Sequence, residues 1–117
     1  MSFNKITMVG NLGRDPELRH LPSGISVCNF SVAVNETYLD KSGASRTAPT
    51  WFRTAVWGER AASCAKNLKK GSPVYVTGRL RQREWKDDSG REHYRLEVKA
   101  SDVRFFGKTT SRTVKML

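Results

Sequence analysis

The chain is 117 residues long, 38% of them hydrophobic, with 21 basic against 11 acidic side chains and a formal charge of +10. That length suits one domain with a modest core, and no apolar run reaches the roughly 18 residues that would read as a membrane-crossing helix. The opening MSFNKITMVG lacks an apolar stretch followed by a small-residue cleavage site, so no secretory leader is expected.

Residues 4–12, NKITMVGNL, are rich in β-formers and read as a first strand, with Ile6 and Met8 on one side and Thr7 and Val9 on the other. Pro22-Ser23-Gly24 marks a turn between short extended pieces. Residues 26–39 alternate, Cys28, Phe30, Val32 and Val34 towards a core and Asn29, Ser31, Ala33 and Asn35 away from it. DKSGASRTAP, residues 40–49, has no periodicity and is expected to be a mobile loop. In TWFRTAVWGE, residues 50–59, side chains two apart share a face of a strand. Trp51, Arg53, Ala55 and Trp57 point one way and Phe52, Thr54 and Val56 the other. Residues 58–71 predict a helix, with Ala61, Ala62, Ala65 and Leu68 as its apolar stripe, Lys69 and Lys70 in its last turn and Gly71 as its stop. Cys64 falls in that helix, and both it and Cys28 are expected to be reduced thiols of a cytosolic protein.

SPVYVTGRLRQREW, residues 72–85, is a long strand with Val74, Val76, Gly78 and Leu80 inward. Arg79, Arg81, Arg83 and Trp85 share its outer face. KDDSGRE is a hairpin turn. Residues 93–107 alternate again, Tyr94, Leu96 and Val98 inward and His93, Arg95, Glu97 and Lys99 outward, and the change of phase near Ala100 to Asp102 predicts a bulge. Five strands, with one short helix between the third and fourth, predict an all-β, partly open antiparallel Greek-key barrel of the OB-fold type. The domain is expected to span residues 1–107, with 108–117 a short, basic, flexible tail.

The charge is unevenly spread: residues 1–40 sum to −1, residues 41–80 to +7 and residues 81–117 to +4. Burying Trp51 or Trp85 on its strand parity would also bury Arg53 or a row of three arginines, and an unpaired buried guanidinium is prohibitively costly. The arginine-bearing faces are therefore wet and their tryptophans at least partly exposed. Exposed aromatics between cations suit unpaired nucleic acid: splayed bases stack on the rings and phosphates pair with the cations, with little regard to sequence. A duplex fits worse, since its bases are already stacked and the chain offers no recognition helix. Catalysis finds little support. His20 and His93 are far apart in sequence, and neither a CxxC nor an HxE pattern is present, so no metal or cofactor is expected.

VGNLGRDPELRHLPSG, WFRTAVWGERAASCAKNLKKGSPVYVTGRLRQREWKDDSG and the spacing between them closely resemble the bacterial single-stranded DNA-binding protein family, over about Phe3 to Gly107. The resemblance implies an OB-fold homotetramer, cytoplasmic and nucleoid-associated, that wraps single-stranded DNA during replication, recombination and repair. It implies stacking by Tyr38, Trp51, Trp57 and Trp85, and phosphate contacts from Arg53, Lys69, Arg79, Arg81, Arg83 and Lys86. It also implies a dimer built on the first strand, with Asn4, Ile6, Met8 and Gly10 at the interface. Phe52, which stands where many members have histidine, is placed at a subunit contact. Members usually continue into a flexible linker and an acidic tip that recruits replication and repair proteins. This sequence stops at FGKTTSRTVKML, without such a tip, which leaves recruitment of those proteins open. The nearest alternatives are a primosome-type dimer of the same fold and an RNA-binding OB-fold module.

Overall fold

The computed structural model describes residues 1–106 and 114–116. The elements run β1 (Ile6–Leu12), β2 (Glu17–His20), β3 (Ser26–Leu39), β4 (Ser45–Trp57), α1 (Glu59–Asn67), β5 (Pro73–Lys86), β6 (Glu92–Phe106) and β7 (Val114–Met116). Strand neighbours follow the order β1-β5-β6-β4-β3, and β1 pairs back to β3 to close a five-stranded barrel. The one helix among the described residues connects the third and fourth barrel strands, β4 and β5, as in an OB-fold.

The closure differs from the all-antiparallel, partly open barrel that the sequence suggests. α1 carries the chain across the barrel end, β5 returns, and its hairpin brings β6 beside β4 in the same direction. β4 and β6 therefore pair in parallel, through Thr54↔Val98 and Ala55↔Lys99. The ring is completed by Asn11↔Ala33 and Leu12↔Val32 between β1 and β3. Gly10 permits that crossing, because a Cβ there would collide with the carbonyl oxygen of Ala33. One of the short extended pieces around Pro22 is a strand of its own, β2, paired to β3 from Glu17↔Asn29 to His20↔Ser26.

Valines fill the interior. Val32, Val74, Val76, Val98 and Val103 are essentially sealed, together with both cysteines, as β-branched side chains on a pleated surface pack well. The helix turns Ala61 and Cys64 inward, with Leu68 completing the i, i+3, i+7 stripe. Ala62, expected in that stripe, is exposed. The helix also ends earlier than expected, at Asn67, so Lys66 is the basic residue of its last turn and Lys69 and Lys70 lie beyond it. Both thiols are free. Burial pushes Cys28 up to about 11 and Cys64 up to about 12, which keeps them protonated.

The bulge lies where the phase change predicts it. Thr77 pairs with Asp102 and Gly78 with Ala100, leaving Ser101 as the extra residue on β6. The Ser101 hydroxyl donates to the Thr77 carbonyl at 3.1 Å.

Two hairpins run on past the barrel as arms. The β3–β4 arm corrects the expectation of a mobile loop over residues 40–49: only Asp40–Ala44 form the turn, and Ser45 onwards is strand, paired from Leu39↔Ser45 back to the barrel. The β5–β6 arm corrects the inward placement of Tyr94 and Leu96. They keep the core parity of Val98, but at that height there is no barrel interior left to enter, and they are 59% and 62% exposed. At the chain end Val114–Met116 pair with Arg104–Phe106 of β6, so part of the expected flexible tail is strand. The remainder of that tail, residues 108–113 and 117, lies outside the described residues, as does residue 107.

Candidate nucleic-acid interface

β4 sets Trp51 opposite Ala33, Arg53 opposite Ser31, Ala55 opposite Asn29 and Trp57 opposite Val27. The β3 neighbours on this face are no larger than valine, which leaves Trp51 55% and Trp57 39% exposed. Trp51 rests on the backbone of the β1–β2 loop: a Cβ at Gly13 would collide with its ring. The loop thus supports one part of the indole while more than half the residue's surface remains accessible.

The β5–β6 arm supplies the second half. Its outer face pairs Arg79 with Lys99, Arg81 with Glu97, Arg83 with Arg95 and Trp85 with His93. Trp85 and His93 stack at 5.3 Å between ring centres with 18° between their planes. The Arg95 guanidinium lies 4.8 Å from the centre of the Trp85 ring. His93 Nε2 is 2.8 Å from Asp87 Oδ2, which ties the stack to the turn at the tip. Like charges directly opposite on an exposed ribbon are destabilising, and this face carries two such pairs, Arg79/Lys99 and Arg83/Arg95. Among the described residues none of the four takes part in an ion pair.

Between this arm and the β2–β3–β4 wall runs a groove. One part, of about 320 Å³, is lined by Arg14, Arg19, Arg53, Arg83 and Arg95, with Asp15, Glu17 and Glu97, and there Arg19 is paired with Glu17 at 2.8 Å. The next, of about 250 Å³, shares Arg19, Asn29, Arg83 and Glu97 and adds Arg81 and Trp57 over a floor that includes Val27 and Ala55. The result is a channel with more arginines than acids in its wall and Trp57 along it. Its excess of positive charge is offset when a polyanion enters and releases its condensed counterions.

Of the residues expected at the site, Trp57, Arg53, Arg81 and Arg83 line this groove, Trp51 shares its β4 face, and Trp85 stands on the arm beside it. Four others are placed elsewhere. Tyr38 is 52% exposed but pairs with Arg46, in register with Val34 and Phe52 and not with Trp51. Lys69 sits in the turn after α1, where its backbone N–H donates to the Ser72 hydroxyl at 2.9 Å. Lys86 pairs with Glu92, on the opposite face of the arm from Arg83. Arg79 has the right parity but lines a separate cleft on the outer wall.

The expected interface residues are largely committed within the chain. Met8 is only 6% exposed and belongs to the core, Gly10 faces Ala33, and Phe52 is half-buried against the core. Asn4 exchanges two hydrogen bonds with the Leu80 backbone, donating at 2.6 Å and accepting at 3.0 Å. Ile6 packs against the core from its edge.

Arg14, Arg19, Arg95 and Glu97 line the groove without having been singled out in the sequence. Arg14 and Arg19 sit in the one third of the chain whose charge sums to −1, and the sum hides their position. The sequence signal that could have found them is local: Arg14 lies in the loop with Gly13 and Arg19 just beyond it on β2, in the same GNLGRDPELR stretch. Among the described residues no three His, Cys, Asp or Glu gather as a metal site, and no helix is long and apolar enough to cross a membrane.

Residues 3–106 match the model of the single-strand binding protein family. The chain belongs to that family. A crystal structure of a deletion mutant of the single-stranded DNA-binding protein from Thermus aquaticus superposes with a TM-score of 0.79 at 25% identity, over 98% of this chain and 54% of that one. This chain therefore spans about half the length of the Thermus protein. The Plasmodium falciparum SSB in complex with single-stranded DNA superposes with a TM-score of 0.81 at 30% identity, over 92% of this chain and 97% of that one.

Proposed function

We propose that this protein binds single-stranded DNA with little sequence preference, stacking bases on Trp51, Trp57 and Trp85 and holding phosphates with Arg53, Arg81, Arg83 and Arg95. One observation carries the reading: the exposed indoles of Trp51 and Trp57 share a strand face with Arg53, beside a groove whose Arg53, Arg81, Arg83 and Arg95 are in no ion pair among the described residues. Each stacked base contributes about 1–3 kcal/mol and any base can stack, so the groove coats a strand without reading it. Family membership and the strand-bound Plasmodium structure support the same ligand. The work is binding and protection of exposed strand in replication, recombination and repair, in the bacterial cytoplasm, with no reaction catalysed.

Assembly belongs to this reading too. β1 pairs with β5 from Ile6 to Asn11 but with β3 only at Asn11 and Leu12, so among the described residues its other edge has no partner strand from Ile6 to Gly10. Such an edge pairs readily with another strand, and Thr7 and a 56%-exposed Val9 lie beside it. A second copy pairing there by backbone hydrogen bonds gives a dimer, and two dimers give the family's tetramer. Met8 and Gly10 join that contact through their backbones, since the Met8 side chain is turned into the core.

Titrating tryptophan fluorescence with poly(dT) tests the proposal. Strong, salt-sensitive quenching with a site size spanning several subunits is expected, alongside a tetramer mass by light scattering. A short site size on a dimer favours a primosome-type module, tighter binding of poly(U) than of poly(dT) favours an RNA-binding one, and no quenching by either polymer overturns the reading.

A further inference from the structure

Three acidic side chains line the arginine groove, and two of them are engaged elsewhere. Asp15 accepts the backbone N–H of Lys70 at 2.8 Å, and Glu17 holds Arg19 at 2.8 Å. The third, Glu97, lies directly across the ribbon from Arg81. It borders both parts of the groove, with Arg53, Arg83 and Arg95 in one and with Trp57 in the other. Glu97 is half-buried, yet among the described residues its carboxylate takes part in no ion pair and accepts no hydrogen bond. A free carboxylate inside a groove for a polyanion is costly, because it repels every phosphate that passes.

We infer that Glu97 is a specificity residue that selects for bases: it turns phosphates away towards the arginines and accepts a hydrogen bond from the Watson–Crick edge of a base lodged beside Trp57. The inference rests on the single-stranded DNA reading above and adds to it the means by which nucleic acid is told from other polyanions. Arginines alone attract any phosphate chain. Every base carries an N–H donor on its Watson–Crick edge, an amino group or a ring N–H, so a carboxylate accepts from each of them without reading sequence. A hydrogen bond to an ionised acceptor is among the stronger ones, and a bare phosphate chain has no donor to offer. In a duplex that edge is already paired, so the same carboxylate disfavours double strands. Asn29, also half-buried, borders both parts of the groove as well, and its amide offers a donor for the base carbonyls.

The test sets the wild-type protein, Glu97→Gln and Glu97→Ala against oligo(dT), the same oligomer built from N3-methylthymidine, and inorganic polyphosphate. Methylation at N3 deletes the donor and keeps the ring and the phosphates. It is expected to weaken binding to the wild type by about five-fold or more, while Glu97→Ala binds the two oligomers alike. Glu97→Gln keeps the shape of the side chain and removes its charge. It should bind polyphosphate about five-fold more tightly than the wild type does, with a much smaller change on oligo(dT), so the preference for DNA narrows. Wild-type protein that binds both oligomers equally overturns the inference, and that measurement needs no variant. An equal loss from methylation on Glu97→Ala overturns it too, as a steric effect of the methyl group. So does equal tightening of oligo(dT) and polyphosphate by Glu97→Gln, which would leave Glu97 as a mere counter-charge to the arginines. Failure of the wild type to bind oligo(dT) at all removes the single-strand reading itself, a result distinct from the others.

Discussion

Asp40-Lys41-Ser42-Gly43 turns the β3–β4 arm and Asp87-Asp88-Ser89-Gly90 turns the β5–β6 arm, and the two tips are built alike. In each, one aspartate oxygen accepts the backbone N–H groups two and four residues on, together with the serine hydroxyl. In each, the glycine adopts φ of 83°, a left-handed conformation costly to other residues. The strands they join carry different chemistry. The first arm pairs Thr37 with Thr47 and Tyr38 with Arg46, and its Arg46 is held by Asp40 at 2.9 Å. The second pairs Arg83 with Arg95 and leaves both without an acidic partner. The turn sets the register, and the placement of acids decides whether a cation is spent at home or left for a ligand.

Tryptophan against tyrosine gives the largest expected contrast. Trp85→Ala should weaken binding to single-stranded DNA by about 1–3 kcal/mol, while Tyr38→Ala, on the register face away from Trp51, should cost less than about 1 kcal/mol. Fluorescence anisotropy on labelled oligo(dT) measures both, and equal losses would make the two arms functionally equivalent. Next come the turn glycines. Gly43→Ala and Gly90→Ala should each strain their tip by about 1–2 kcal/mol, seen as faster hydrogen exchange of the arm amides. Only Gly90→Ala should also weaken DNA binding. A loss of affinity from Gly43→Ala of the same size would show that the first arm, too, lies on the strand path.

The same comparison explains what could be read in the sequence. Core strands announce themselves because one face is buried: Cys28, Phe30 and Val32, or Val74 and Val76, alternate with polar neighbours. Trp51, Arg53 and Trp57 were legible by the reverse logic, since a guanidinium forbids burying its face. Residues 45–49 gave no such signal because both faces of that arm are exposed, so no period-two pattern exists to see. Its one legible mark was the Asp-x-Ser-Gly tip, identical in kind to the tip of the other arm. Tyr94 and Leu96 misled for a related reason, as parity says which way a side chain points but not where the barrel ends. The groove residues Arg14 and Arg19 depend on β2 folding back onto β3, a contact between segments that no local pattern reports.

A smaller effect separates affinity from stability on the second arm. Arg83→Ala should flatten the salt dependence of DNA binding by about 0.7 log units per log unit of salt, the share of one phosphate contact on a single strand. It also removes one of two like charges facing each other across the ribbon, so the free protein should gain a few tenths of a kcal/mol. Arg46→Ala, which breaks an ion pair in the first arm, should leave the salt slope unchanged. Calorimetry and salt titration on the same samples distinguish the two responses.

The finest contrast is in pH. The hydrogen bond from His93, then that of Ser89, holds Asp87 down at about 2, whereas for Asp40 the Ser42 hydroxyl leads and Arg46 follows. For a carboxylate lowered on folding, the stabilising contribution is present in full above its ordinary value near 3.8 and disappears as pH falls through about 2. Both turns should therefore hold through mild acid and loosen progressively between about pH 3.8 and about pH 2. His93→Phe keeps a ring against Trp85 but removes the nitrogen that meets Asp87. It should move the Asp87 titration up towards 3.8 and leave Asp40 where it is, as followed by carboxyl carbon shifts in NMR. An unmoved Asp87 would mean that Ser89 and the backbone amides alone hold the charge, and that the stack on Trp85 is fixed by packing without help from the turn.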